Sequence, residues 1–139
     1  MELKFFPNTQ PFDPDKSEPE DEVGEVGKEI KKLKSNVRLF LPVKTFLKSL
    51  KNVKDISPFL RSKQMKKFSG DKTGLYEMRI PPEAHGGVFR IYFCFSETEE
   101  KTLILLSAEL KHEKEAARSD AAYAKMKLYK DLVKKGTMS

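Results

Sequence analysis

Between Gly74 and Phe95 the chain alternates apolar and polar residues with a period of two. In LYEMRI, Tyr76, Met78 and Ile80 alternate with Glu77 and Arg79, and in VFRIYFCF, Phe89, Ile91, Phe93 and Phe95 alternate with Arg90, Tyr92 and Cys94. This pattern predicts two half-buried strands. PPEAHGGV joins them, and SETEEK turns the chain into a third, apolar strand, TLILLSAEL, so the three form an antiparallel meander. Pairing Ile80 with Phe89 sets Arg79 opposite Arg90 and Glu77 opposite Tyr92, because directly opposed residues share a face. That register buries Phe89, Ile91 and Phe93 against helices and sends both arginines and Tyr92 to the other face. A slip of one residue would bury them instead.

Elsewhere the period lengthens. Val23, Val26, Ile30 and Leu33 recur at helical spacing from about Glu20, weakened by Gly24 and Gly27. Pro42 interrupts, and VKTFLKSLKNV then sets Val43, Phe46, Leu47 and Leu50 on one side of a short amphipathic helix with lysines on the other. Residues 60–68 read as a strand or a helical piece between turns. A last helix is expected from about Asp120 to Lys135, capped by Ser119, ended by Gly136 and striped by Ala122, Met126, Tyr129 and Val133. LKFF near the start reads as a short strand. The segment after it holds four of the eight prolines, and its acidity suits a solvated linker or peripheral arm. The expected fold is α+β, with N-terminal helices packed on a mostly antiparallel sheet and a C-terminal helix. Residues 1–19 form strand and arm, and residues 20–139 the domain.

The 139 residues suffice for one core. No apolar run approaches membrane-spanning length. The first fifteen residues lack the pattern of a secretory signal, so the cytoplasm is the expected compartment. Cys94 is the single cysteine, which excludes an internal disulfide framework and a multi-cysteine zinc site. The net charge of +6 conceals an asymmetry. Residues 1–30 carry three lysines against nine acids, while residues 31–72 carry 13 basic residues against two acids. Such a field attracts polyanions and releases their counterions.

Neither His85 nor His112 has a metal-ligand partner at suitable spacing, so no metal or other cofactor is expected, and HGGV is too short for a phosphate-binding loop. What remains is a basic, aromatic-bearing set: Lys63, Lys66 and Lys67 before the meander, Arg79, Arg90 and Tyr92 on it, and Lys111, His112 and Lys114 after it. Guanidinium groups neutralise phosphate in pairs, a tyrosine stacks on a base, and lysines position the backbone. The same set suits RNA cleavage by the 2′-hydroxyl, which needs a base, an acid and donors for the charge on phosphorus. His112 or a lysine would transfer the proton. On these residues alone, a binding surface and a catalyst both stand, and binding is favoured.

The run MKKFSGDKTGLYEMRI, GGVFRIYFCF and KTLILLSAELKHEKE resembles the RelE/ParE-type toxin superfamily of bacterial toxin–antitoxin systems, particularly its HigB-like, phage-associated branch. The matching pieces are Phe68-Ser69-Gly70, Leu75 to Arg79, Phe89 to Tyr92, and Leu103 to Lys114, within roughly residues 60–129. The resemblance implies ribosome-associated mRNA cleavage, as in RelE- and HigB-like members, or DNA gyrase inhibition, as in ParE-like members. It also implies a cognate antitoxin as partner. By position, Arg90 matches the strand arginine of the cleavage site, Arg79 the preceding strand arginine, Lys63 and Lys66 the upstream lysines, and Lys111 with His112 the terminal catalytic region. AELKHEKEAARSD departs from the branch pattern, since Glu109 and Glu113 dilute the positive field. The acidic stretch at residues 13–29 is expected either to keep the domain soluble or to fold across the basic face as a tethered competitor of RNA.

Overall fold

A computed structural model describes residues 1–80, 87–111 and 118–137. In chain order the elements are β1 (Glu2–Phe5), α1 (Glu25–Lys32), α2 (Val37–Ser49), α3 (Ser57–Arg61), β2 (Met65–Lys67), β3 (Tyr76–Ile80), β4 (Val88–Phe95), β5 (Thr102–Lys111) and α4 (Ser119–Lys134). The strands form one mixed sheet in the order β1-β5-β4-β3-β2. β1 runs parallel to β5, and the other pairings are antiparallel. The fold is therefore α+β, as its sequence predicts. The β3–β4 register is also the expected one, with Ile80 opposite Phe89, Arg79 opposite Arg90 and Glu77 opposite Tyr92.

The sheet has two apolar faces. On one, Met78, Ile80, Phe89, Ile91, Phe93, Leu103 and Leu105 pack against Val26 and Ile30 of α1 and Leu39, Val43 and Leu47 of α2. On the other, Leu75, Tyr92, Cys94, Ile104 and Leu106 pack against Ala122, Met126 and Tyr129 of α4. The face expected to lie opposite all the helices is thus covered over much of its area by α4. Two features make this possible. A bulge in β5 shifts the pairing between Tyr92 and Phe93, so Leu106 joins the α4 side. Gly136, at φ 72°, then ends α4, with Gly136 N–H donating to Val133 O and Thr137 N–H to Leu132 O.

Three local expectations are corrected. α1 starts at Glu25 rather than near Glu20, and Val23 is 62% exposed instead of lying on its buried stripe. Gly24 sits at φ 128°, where an added Cβ would lie 2.2 Å from the Phe6 carbonyl oxygen, so the crossing with β1 requires glycine before the helix can begin. α2 starts at Val37 and runs through Pro42. That proline removes only one bond near the helix start, while Leu39, Val43 and Leu47 maintain a continuous buried stripe. Ser119 is the first residue of α4 rather than its cap, and its hydroxyl accepts from Lys72 Nζ at 3.0 Å.

The acidic segment after β1 is a peripheral arm docked on the domain rather than a free linker. Phe12 N–H donates to Leu3 O at 2.6 Å, and the buried Phe12 ring meets Phe5 edge-on at 5.5 Å. From there the chain runs along α2. Glu18 lies 2.7 Å from Lys48 and 3.0 Å from Lys44, Glu20 lies 3.1 Å from Lys44, and Asp13 and Asp15 each lie 3.8 Å from Lys51. These acids meet α2 and the turn after it and not the arginine-bearing face of the sheet, so of the two expectations for the acidic stretch the fold-over onto that face is not what the structure shows.

Candidate nucleic-acid interface

Alternation along β3 and β4 puts Glu77, Arg79, Arg90 and Tyr92 on one face, with Tyr92 under α4's apolar stripe and the other three outside that cluster. Glu77 is only 1% exposed and accepts from both arginines. Its Oε1 lies 2.6 Å from Arg79 Nε, and one terminal nitrogen of Arg90 lies 3.2 Å from each carboxylate oxygen. Arg79 keeps 34% of its side-chain surface exposed and Arg90 15%. The buried Arg90 Nε has no hydrogen-bond partner among the described residues. Two arginines flank Glu77, and Glu109 stands opposite Arg90 on β5, so the charges of the cluster largely balance.

Beside it, at the open edge of the sheet, a groove of about 410 Å³ is lined by Leu60, Lys63, Met65, Lys66, Lys67 and Arg79. α3 and β2 build this groove, with Lys63 turning the chain between them at φ 65°. Lys66 pairs opposite Glu77 and so shares the arginine face, while Lys67 alternates to the opposite face. Both reach the groove because β2 is the edge strand. Among the described residues, no acidic side chain lines it. A larger cleft of about 780 Å³ near α1 mixes Glu22, Glu25 and Glu29 with Lys28, Lys32 and Lys125, so its charges largely cancel.

The structure therefore gathers Lys63, Lys66, Lys67 and Arg79, with Arg90 immediately behind them. Lys111, half-buried at the end of β5 opposite Val88, lies on the same face two residues beyond Glu109. His112 and Lys114 lie outside the described residues. Tyr92 is corrected. It is fully buried, its hydroxyl donates to Glu109 Oε2 at 2.9 Å, and burial first, then that bond, push the phenol well above its usual range. It neither stacks on a base nor transfers a proton from there. Cys94 is buried, and burial pushes its thiol up to about 12.

Three residues gain meaning only from the structure. Glu77 reads as a solvent-facing acid in sequence, yet its position two residues before Arg79 on a face shared with Arg90 is a signal for a carboxylate between two guanidinium groups. Glu109 does more than dilute charge: besides Tyr92, it accepts from the Arg118 N–H at 2.6 Å and so ties β5 to the start of α4. Phe68, half-buried with Lys66 Nζ 5.0 Å from its ring centroid, is an aromatic close to the basic groove. Among the described residues, no cluster of three or more His, Cys, Asp or Glu side chains is placed to hold a metal ion. None of the described helices is long and apolar enough to cross a membrane. No protein-family model matches the chain, and no curated protein matches it.

Proposed function

We propose that this protein is a toxin-like, RNA-directed protein that cleaves mRNA during translation on the ribosome and is held in check by a cognate antitoxin. The observation that carries this reading is the groove lined by Lys63, Lys66, Lys67 and Arg79, with no acid among its described lining residues, adjoining a pair of arginines locked to a common carboxylate. Single-stranded RNA needs such a track of cations for its backbone. In cleavage by the 2′-hydroxyl, Arg79 and Arg90 stabilise the charge that builds on the phosphorus oxygens. Lys111 stands on the same face as a candidate for proton transfer, and His112 follows it in sequence.

Induction in bacteria with mapping of mRNA 5′ ends tests the reading. Growth arrest with new ends is expected, and Arg79→Ala is expected to slow cleavage by about a hundredfold. Growth arrest without new ends points to a ParE-like action on gyrase. A non-catalytic nucleic-acid-binding module is the second reading, favoured by the burial of Tyr92 and the engagement of Arg90 by Glu77. Its mark is salt-dependent RNA binding without cleavage.

A further inference from the structure

Arg79 and Arg90 are directly opposed on one sheet face, where like charges repel. Glu77 counters that repulsion from a position almost sealed from water, and burying a carboxylate is tolerated only when it is fully paired. The pairing is asymmetric. Arg79 is held through Nε, at the root of its guanidinium, which leaves both terminal nitrogens without a hydrogen-bond partner among the described residues. Those two nitrogens form the flat fork that matches two oxygens of one phosphate. Arg90 is held through a terminal nitrogen instead and is less than half as exposed. Glu77 itself is too buried to meet a 2′-hydroxyl.

We infer that Glu77 is the positioning residue of this site: it aims the terminal nitrogens of Arg79 at a single RNA phosphate, while Arg90 acts from behind through Glu77. This rests on the RNA-directed reading above. It divides labour between the two arginines, with the more exposed Arg79 making the phosphate contact. Lys63 and Lys66 then hold the neighbouring backbone in the same groove.

Glu77→Gln in the full chain keeps the side chain's size and one acceptor oxygen but removes the charge. The net charge of +6 rises by one, so low-salt affinity for hexauridylate is expected to hold or increase. Single-turnover cleavage is expected to fall by about a hundredfold, as for a misaimed reactive group. A purely structural role would lower thermal stability without this separation of binding from cleavage. Adding Arg79→Lys to Glu77→Gln is expected to cost little more, since both changes remove one aimed fork. Wild-type cleavage by a folded Glu77→Gln protein would overturn the assignment. NMR of the arginine side chains supplies a readout independent of both variant folding and activity. Hexauridylate should shift the terminal nitrogens of Arg79 in the wild type, and leading shifts at Arg90 would overturn the division. If the wild type cleaves no RNA but hexauridylate shifts Arg79 in the wild type and not in Glu77→Gln, the catalytic reading fails while the positioning role of Glu77 stands.

Discussion

Lys44 and Lys48 on α2, with Lys51 in the turn just after it, and Lys63, Lys66 and Lys67 around β2 come from one stretch of like composition, and the fold treats them oppositely. The first three lysines are met by Asp13, Asp15, Glu18 and Glu20 from the segment that follows β1. The β2 lysines form no ion pair among the described residues and line a groove with Arg79. Six of the 13 basic residues of 31–72 thus fall on two surfaces, one neutralised within the chain and one presented outward. Charge counted along a sequence measures neither, because ion pairing is decided by which segments are folded together.

The largest effect expected from breaking this contrast is at the anchor of the acidic segment. Phe12→Ala removes a buried ring packed on Phe5 and is expected to cost about 3 kcal/mol or more, read as a shift in urea midpoint. It also releases the acids from α2, so low-salt binding to non-specific RNA should strengthen. Next, replacing Lys63, Lys66 and Lys67 by Ala should weaken RNA binding and reduce the slope of log affinity against log salt by about 2, at about 0.7 per phosphate contact. The same triple change at Lys44, Lys48 and Lys51 should leave that slope nearly unchanged. Equal slopes for the two triple variants would dissolve the distinction.

The smallest effect is in pH. Close ammonium groups, Lys48 first and then Lys44, hold the Glu18 carboxyl below its usual range, and Glu18 in turn raises Lys44. A lowered carboxyl contributes stability above its unfolded pKa of about 4.5, lost as pH falls through the folded value. A raised lysine contributes below about 10.5 and loses that contribution as pH rises further. The acidic segment should therefore stay clamped to α2 between these limits and loosen outside them, read by hydrogen exchange at residues 8–20. The core adds an alkaline limb. Cys94, raised to about 12 by burial, and the raised Tyr92 contribute stability that is full below about pH 9 and falls as pH rises toward 12.

Much of the architecture is written locally. Alternation at residues 75–80 and 88–95 is enough to set the β3–β4 register and to bring Arg79, Arg90 and Tyr92 onto one face, because a slip would exchange every buried and exposed side chain. The stripe of α4 and its terminating Gly136 are equally plain. The groove was legible as residue types, Lys63, Lys66, Lys67 and Arg79, though not as a shape. The fate of Tyr92 was hidden. Its face is fixed by the strand period, but its burial depends on a helix that begins more than twenty residues later and packs across it.

By itself, the sequence determined strand register, helix stripes and the supply of cations, since these follow from side-chain periods of 2 and 3.6 residues and from composition. Tertiary structure decided which face α4 covers, which lysines meet acids, and that Glu77 would sit between two guanidinium groups. Those outcomes depend on contacts between segments distant along the chain. There, burying apolar area selects the packing, and the charges left at its borders must pair with whatever the packing brings near.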